Sequence, residues 1–496
     1  MTLGAHDPGR TCPSPTPARR DPGQDRIFKV CTLVLLGLCL WPVWACAALP
    51  MQDYPQHLFI ASVLQGDGAH IWSRYYEWQL HLEPYSGCYW VLRLLGPVFG
   101  LDTAGRLLVS AYFVLLAGFV ASAARRFAHT PWGLLLVLPW ATHQEYFHGL
   151  LNYLIALPLL LIALEQLRAA ATARWTALQL CGHMGLLLVI LLFHPFCVLA
   201  YVGMAVCEAA LTRSSATLAR MRLLPACLAS TLLVLWQVFC YRSTNSQLHW
   251  LGPEVALHYL RQIFSGMRAS HGATWHAVVW LGLLAALASA RRTNVLDRRD
   301  VLRLLGLLTA CFFLPFWVGR YSYFNLRVAA LVYFQLAAMA GCFALGRAAR
   351  SVVVASALAL TLDASLLQAQ VARESAEILP LVAKLAPERK VASVAFDDTS
   401  AYLDPECFPE LHRHEVFYYQ LQKGGLSPHL WHLPLVPVRY KASVRLAEPH
   451  SVRDLLAQGY QLVFARNAPP KFTEIMLRHF QLRAHHGTWL VFERQP

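Results

Sequence analysis

Long apolar stretches recur along the first three quarters of the chain and constrain its fold more than any other feature. A helix needs about 20 apolar residues to cross a bilayer. Stretches of this kind, some of them shorter, occupy residues 27–49, 104–124, 131–142, 149–167, 175–193, 196–211, 222–241, 273–290, 301–318, 325–345 and 350–370. Only 14% of the 496 residues are charged, whereas a soluble domain has about 25%. The sequence therefore predicts a polytopic α-helical membrane protein with about eleven transmembrane helices.

The charge distribution tests this assignment of spans. If the N-terminus is cytoplasmic, the internal loops hold the arginines at 125–126, 168–174, 213–222, 291–303 and 347–350, as the positive-inside rule requires. The stretch 85–99 is also apolar, but it is short and contains Arg93 and Pro97. Counting it as a span would move the later basic loops outside, so we predict an interfacial or re-entrant helix there.

Composition divides the chain into three parts. Residues 1–26 are rich in proline and arginine, which is typical of a disordered basic tail on the cytoplasmic side. Residues 27–371 form the predicted transmembrane domain, with a retained first span and a first external loop at 50–103. From 372 to 496, alternating stretches separated by proline and glycine predict a small external α/β domain.

Several common functions lack support in the sequence. The net charge of +14 would suit nucleic acid only if the basic residues clustered on a solvated face, and here they separate apolar stretches. The 13 cysteines lie mostly in apolar segments without CxxC spacing, so they predict no metal site. No GxxxxGK[ST], HExxH or GxSxG motif occurs. Nucleotide-driven pumping and zincin or hydrolase chemistry are therefore not expected.

Asp53 is the first candidate for chemistry, in the sequence LPMQDYPQHLF just after the first span. A carboxylate held at the membrane surface by Pro55, with His57 close behind, is suited to accept a proton from a hydroxyl or to bind a metal. The same position also suits a cap of the helix that starts near Pro55. Spacing alone leaves both interpretations open.

Glu145, His148 and His194 are candidates in the following short external loops. Glu145 and His148 stand in HQEYFHG between two spans, where ionisable groups are costly unless they face a polar cavity. Glu145 is a candidate second carboxylate facing Asp53, and contact with lipid headgroups is the alternative. His194, before Pro195, suits either an anionic headgroup or the capping of helix carbonyls.

A late external loop, WVGRYSYFNLR, offers the best candidates for binding phosphate. Arg320 and Arg327 depart from the positive-inside trend, and Tyr323 lies between them. Arginine presents a planar donor fork to phosphate, and snorkelling toward headgroups is the alternative. In the C-terminal part, the sequence HRHE at 412–415 has no second cluster at metal-ligand spacing, so we interpret it as a solvated strand or loop face.

This layout resembles the GT-C superfamily of polytopic glycosyltransferases, which includes polyprenol-phosphate-dependent mannosyl and arabinosyl transferases. The resemblance covers most of the chain, and Asp53 in QDYPQH matches the first-loop acid of the family. It implies that Asp53 activates the acceptor or associates with a divalent cation. It also implies that Glu145 supports it, and that Arg320 or Arg327 holds the donor phosphate. Many members have a second acid where this chain has Gln52, which argues against dependence on a metal.

The resemblance implies an inverting hexosyl- or pentosyltransferase. The donor would be a sugar linked to polyprenyl phosphate, and the acceptor a glycan, lipid or protein on the external face. A lipid or solute transporter or flippase and a non-catalytic GT-C-like scaffold remain the alternatives. The Ala-, Leu- and Arg-rich composition favours a bacterial inner membrane with a periplasmic C-terminal domain, and an internal eukaryotic membrane is the alternative.

Overall fold

The structure is a computed structural model of the chain. It describes residues 21–66, 69–127, 129–169, 175–211, 225, 227–231, 233, 248–250, 252–268, 273–288, 298–315, 317–318, 324–406, 408, 410–431, 436–444 and 446–495. The first part of the chain forms α1 (Pro22–Ala45), α2 (Tyr54–Gln65), α3 (Ala69–Tyr75), β1 (Tyr76–Trp78), α4 (Gly87–Phe99), α5 (Leu101–Ala124), α6 (Gln144–His148), α7 (Leu151–Ala169), α8 (Ala177–Phe193) and α9 (Pro195–Leu211).

The second part contains the remaining helices and most of the strands. It forms β2 (Leu248–His249), α10 (Pro253–Ser265), α11 (Ala273–Ala288), α12 (Arg298–Phe313), β3 (Trp317–Val318), α13 (Phe324–Ala340), α14 (Arg347–Ala376), α15 (Leu379–Ala383), β4 (Val391–Ala395), α16 (Phe417–Lys423), β5 (Val438–Tyr440), α17 (Val452–Ala457), β6 (Leu462–Arg466), α18 (Pro470–Leu477), β7 (Phe480–His486) and β8 (Trp489–Arg494).

Apolar helices that suit a bilayer dominate this fold. Within the described residues, four helical stretches are long and apolar enough to cross a membrane: Pro22–Ala45, Leu101–Ala124, Leu151–Arg168 and Arg347–Ala383. Five shorter apolar helices are Gly87–Phe99, Ala177–Phe193, Pro195–Cys207, His276–Ala288 and Arg327–Ala340. Large apolar side chains such as Leu33 and Leu178 are exposed on their outer faces, which suits contact with lipid. The predicted polytopic helical membrane protein is therefore confirmed, although most of the predicted span 222–241 lies outside the described residues.

Helix α1 begins earlier than the sequence predicted. Its first residue is Pro22, and the side chain of Asp21 accepts a hydrogen bond from the backbone N–H of Gly23. Aspartate before a first-turn proline is a favourable helix start, because it satisfies a donor that the helix leaves free. The predicted tail at 1–26 therefore extends too far into the chain, since residues 22–26 are already helical.

The predicted span at 131–142 is wrong as an α-helix. These residues form two 3-10 helices, Trp132–Val137 and Pro139–Ala141, and proline, which lacks an N–H, interrupts regular helix. The segment nevertheless traverses the length of α7, because Arg126 before it pairs with Glu165 near the end of that helix and α6 after it leads into its start. Irregular backbone is tolerated at this depth because it is buried among α1, α5, α13 and α14.

Helix α4 corresponds to the apolar stretch 85–99. Its 13 residues span about 20 Å at 1.5 Å per residue, which is short of the roughly 30 Å of a bilayer core. Val98 and Phe99 at its end are exposed. The prediction of a helix too short to be a full span is confirmed.

The C-terminal residues fold around a four-stranded sheet with the order β4-β6-β8-β7. Strands β4 and β6 are parallel, whereas β8 is antiparallel to both β6 and β7. Short helices pack beside this sheet, which is the small α/β unit that the sequence predicted.

The first loop and this α/β unit pack together. Strand β1 of the loop pairs antiparallel with β5, so that Tyr76 lies opposite Tyr440. Phe59 of α2 packs against Tyr76 and against Phe417 of α16, with ring centroids 5.4 and 5.3 Å apart. A shared aromatic core therefore holds the beginning of α2 against the C-terminal residues.

Candidate functional site

Asp53 lies immediately before α2 and is largely buried, with 8% of its surface exposed. Its side chain makes no capping hydrogen bond to the helix. Instead, its Oδ1 accepts a hydrogen bond of 2.8 Å from Nδ1 of His414. The interpretation of Asp53 as a helix cap is therefore wrong, because the carboxylate faces a side chain of the C-terminal part.

Two sets of contacts fix the backbone that carries Asp53. Arg106 of α5 donates hydrogen bonds to the carbonyl oxygens of Cys46 at 2.9 Å and Ala47 at 3.0 Å, which closes the end of α1. On the other side, the N–H of Asp53 donates to the carbonyl oxygen of His148 at 3.1 Å. Gly149 follows with φ of 77°, and a Cβ there would lie 2.9 Å from the backbone nitrogen of Asp53. The turn after α6 therefore needs glycine to approach this closely.

Glu145 of α6 is a second buried acid, and it is also partnered by an imidazole. Its Oε2 lies 2.5 Å from Nδ1 of His143. The hydroxyl of Tyr112 donates to the carbonyl oxygen of Ala141 at 2.7 Å, so it can only accept from Nε2 of His143 at 3.2 Å. One proton therefore lies between Glu145 and His143. The other oxygen, Oε1, is buried and has no hydrogen-bond partner within the described part of the chain.

His148 interacts electrostatically with both of these acids. Its Nδ1 is 3.0 Å from the side-chain oxygen of Gln52, and its Nε2 is 3.1 Å from the side-chain nitrogen of Gln144. Burial lowers the pKa of His148, and the charges of Asp53 and Glu145 oppose that effect. Both carboxylates are thus within electrostatic reach of one ring. Both ring nitrogens of His148 therefore have protein partners that tie it to the Asp53 segment, and its contact with substrate stays a prediction.

His57, on the first turn of α2, faces the same region. Its Nδ1 lies 3.1 Å from the hydroxyl of Tyr89, and its ring packs against Trp431 with centroids 5.0 Å apart. Burial lowers the pKa of His57 to about 4, although the charge of Asp53 opposes this. At neutral pH the ring is therefore uncharged, and it can donate and accept hydrogen bonds without adding a positive charge beside Asp53.

Arg327 supplies a buried cation on the side of Glu145. Its guanidinium lies 5.9 Å from the centroid of the Tyr153 ring, and its carbonyl oxygen accepts from the Tyr153 hydroxyl at 2.7 Å. Its charge acts on His148 and on His194, which places all three residues in one electrostatic neighbourhood. The other two predicted phosphate-binding residues, Arg320 and Tyr323, lie outside the described residues.

His194 joins this side of the site from the junction of α8 and α9. Its ring contacts Tyr85 and Tyr153, with centroids 4.7 and 5.4 Å away. Its Nδ1 is buried and has no hydrogen-bond partner among the residues that the structure describes. Its backbone N–H, not its side chain, closes the last turn of α8. The capping alternative for the side chain is therefore wrong.

His414 is not identifiable from the sequence, because the pattern HRHE at 412–415 predicts a solvated face. The structure buries His412, His414 and Glu415, so that interpretation is wrong. His412 pairs with Glu415 at 2.6 Å, whereas His414 turns toward Asp53. The signal in the sequence was the density of ionisable residues, but only tertiary packing connects position 414 with position 53.

Two further groups are relevant to ligand binding. Within the described residues, the group of side chains close enough to share a metal ion is His258, Asp404 and Glu406, whose candidate ligand atoms lie within 4.8 Å of one another. It includes neither Asp53 nor Glu145. Separately, a cavity of about 50 Å³ is lined by His143, by Trp140 and by residues of α14. This cavity reaches the imidazole that orients Glu145.

Comparisons with known proteins bear on the fold of the chain. No protein-family profile matches it, and no curated protein matches its sequence. Among solved structures, it is similar to ArnT from Cupriavidus metallidurans in the apo state, at 13% identity with a TM-score of 0.52, covering 95% of this chain and 97% of that chain. It is also similar to ArnT from the same organism bound to undecaprenyl phosphate, at 12% identity with a TM-score of 0.53, covering 95% of this chain and 98% of that chain. The predicted fold of a polytopic helical membrane protein with a C-terminal α/β unit is therefore confirmed, whereas identity this low leaves the superfamily and the mannosyl or arabinosyl type as predictions.

Proposed function

We propose that the protein is a membrane glycosyltransferase that takes a sugar from a polyprenyl-phosphate carrier and passes it to an acceptor hydroxyl, with Asp53 as general base. The observation that carries this proposal is the setting of the Asp53 carboxylate: buried, free of the helix cap, and held through one oxygen by His414. A carboxylate held in this way is suited to take a proton from an attacking hydroxyl. The similarity to ArnT bound to undecaprenyl phosphate supports the class of donor.

In the proposed reaction, the acceptor oxygen forms a bond to the anomeric carbon while the bond from that carbon to the phosphate oxygen breaks. The acceptor proton passes to Asp53, and the configuration at the anomeric carbon inverts. The leaving group is an anionic polyprenyl phosphate, which Arg327 is placed to stabilise. Arg320 and Tyr323, a few residues earlier in the chain, are proposed to contact the same phosphate.

Glu145 has a supporting role in this proposal. Its Oε2 is fixed by His143, and its Oε1 has no hydrogen-bond partner within the described part of the chain. A carboxylate oxygen that is fixed in this way and still free to accept a hydrogen bond is suited to bind a sugar hydroxyl. The site needs no nucleotide fold, because the sugar arrives already activated by phosphate on a lipid.

We propose further that the Asp53 side of the bundle is periplasmic and that the N-terminus is cytoplasmic. The arginines before and after the apolar stretches support this orientation through the positive-inside rule. The C-terminal α/β unit then lies on the periplasmic face, next to the site where an acceptor would arrive.

The test is sugar transfer by the purified full-length protein in proteoliposomes, with a panel of radiolabelled pentoses and hexoses linked to undecaprenyl phosphate. The substitution Asp53→Asn keeps the size and removes the base, so we expect transfer to fall by about 100-fold or more, with binding of undecaprenyl phosphate retained. Glu474→Gln, which removes an exposed carboxylate on α18, is the matched control and should keep full activity. Undiminished transfer by the Asp53 variant would exclude the base role. Carrier flux without any covalent product would favour a flippase instead.

A further inference from the structure

Resting on the proposed function, we infer that the C-terminal part of the chain supplies a positioning residue, His414, which orients the Asp53 carboxylate for its role as base. The two residues are 361 positions apart in the chain, and their side chains meet through a buried hydrogen bond of 2.8 Å. The active site is therefore complete only when the C-terminal part is docked on the membrane helices.

The hydrogen bond leaves Asp53 able to react. Nδ1 of His414 donates to Oδ1, and within the described part of the chain no residue donates to Oδ2. One carboxylate oxygen thus fixes the orientation of the group while the other stays available for the acceptor hydroxyl.

Aromatic side chains fix the ring of His414 in place. Its centroid lies 5.8 Å from that of Trp431 and 6.1 Å from that of Phe417, both with near-perpendicular planes. Edge-to-face arrangements of this kind are favourable. Trp431 also contacts His57, so one indole packs against both imidazoles near Asp53.

The segment that carries His414 is anchored to a membrane helix from its other side. His412 pairs with Glu415 at 2.6 Å and lies 3.7 Å from Glu374, near the end of α14. Burial would lower the pKa of His412, but Glu415 and Glu374 together raise it to about 9. His412 is therefore cationic at neutral pH, and this ionic anchor holds the turn so that His414 points toward Asp53.

The ionisable groups around His414 are Asp53 and His57 from the first loop, and His429 from the C-terminal part. Burial lowers the pKa of His429, and Glu448, at 3.3 Å, opposes that effect. Burial lowers the pKa of His57 to about 4. Both neighbouring imidazoles are therefore neutral near pH 7, and Asp53 is the charge that His414 meets.

The experiment compares His414→Ala with His414→Asn, because the amide nitrogen of asparagine can replace Nδ1 as a donor without titrating. We expect His414→Ala to lower kcat by about 10- to 100-fold with little change in KM for the lipid-linked donor. His414→Asn should recover most of kcat, because it restores a donor to Asp53. His429→Gln is the matched control, because it changes a buried histidine nearby that does not contact Asp53, and its kcat should stay near the wild-type value.

A second readout separates this inference from the proposed function. Infrared difference spectra between the wild-type protein and Asp53→Asn isolate the carboxylate stretching band of Asp53, whose frequency responds to its hydrogen bonds and needs no turnover. A band that shifts in His414→Ala and returns in His414→Asn supports the inference even if no tested sugar is transferred. An unshifted band, or a kcat of His414→Asn as low as that of His414→Ala, would reduce His414 to a structural contact. Full transfer by the Asp53 variant would overturn the proposed function itself.

Discussion

The two ends of helix α7 hold polar clusters that differ in how their carboxylates are partnered. The acid-imidazole cluster comprises Asp53, Glu145, His143, His148 and His414. The arginine cluster comprises Arg126, Glu165, Arg168, Asp300 and Arg303. In the first, each acid is bonded to an imidazole, at 2.8 Å for Asp53 and 2.5 Å for Glu145. In the second, Glu165 lies 2.9 Å from Arg126 and 2.7 Å from Arg168.

The difference lies in which protons can move. Arginine stays protonated at any ordinary pH, so the acids of the arginine cluster remain carboxylates and form a fixed clamp between α5, α7 and α12. Imidazoles gain and lose protons near neutrality, so the acids beside them can take part in proton transfer. The arrangement of partners, more than the presence of buried acids, distinguishes a site for chemistry from a structural ion pair.

The largest expected effect comes from matched Glu→Gln substitutions, one in each cluster. Glu165→Gln removes the buried carboxylate that the exposed Arg126 and the half-buried Arg168 share, which costs about 1–3 kcal/mol of stability and should appear as a fall in Tm in detergent. Glu145→Gln keeps a hydrogen bond to His143 and should leave Tm within a few degrees. Sugar transfer should change in the opposite sense: a loss of about 10-fold or more for Glu145→Gln, and near-normal specific activity for the Glu165 variant that remains folded. Equal losses of stability in the two variants would remove the distinction between the clusters.

A second prediction concerns how an imidazole partner makes stability depend on pH. The pKa of His412 is raised to about 9 in the folded protein, above its unfolded value of about 6.5. Its contribution to stability is therefore fully present below about pH 6.5 and is lost as pH rises through about 9. Between these values Tm of the wild type should fall by about 5 °C more than that of His412→Gln.

The control for this measurement is His485→Gln, which changes an exposed histidine on β7. It should follow the wild-type curve across the whole range. If His412→Gln and the wild type lose stability in parallel between pH 6.5 and 9, the charge of His412 does not stabilise the 412–415 segment.

The smallest expected effect concerns the backbone of the acid-imidazole cluster. Gly149→Ala places a Cβ 2.9 Å from the backbone nitrogen of Asp53 at a φ of 77°, which costs about 1–2 kcal/mol and shifts the loop that carries the base. Gly185→Ala, on the outer surface of α8, has open space around it and should stabilise slightly. Tm and kcat should both fall for the first variant and not for the second, and unchanged kcat in Gly149→Ala would show that the loop tolerates the displacement.

Much of the helical architecture was predictable from local sequence. The apolar stretches 104–124 and 175–193 each act within one helix, and the structure places helices there. The segment 131–142 was not predictable in the same way, because an apolar run of this length fits a helix or any other backbone that neighbours can bury. Its two 3-10 helices are stable only because four surrounding helices exclude lipid from their backbone.

The site shows the same division. Asp53, Glu145 and Arg327 were identifiable because charged residues are costly beside hydrocarbon, and a sequence therefore reveals them by position alone. Their partners were not identifiable, since His414 follows Asp53 by 361 residues and His143 had the same local context as any interfacial histidine. The lengths of the apolar stretches and the placement of arginines determined a polytopic membrane fold. The same assignment of spans placed an acid at the end of the first span. Whether that acid capped a helix or met an imidazole was decided only by docking of the C-terminal part, because hydrogen bonds form between groups that packing brings within 3 Å and no local pattern encodes that distance.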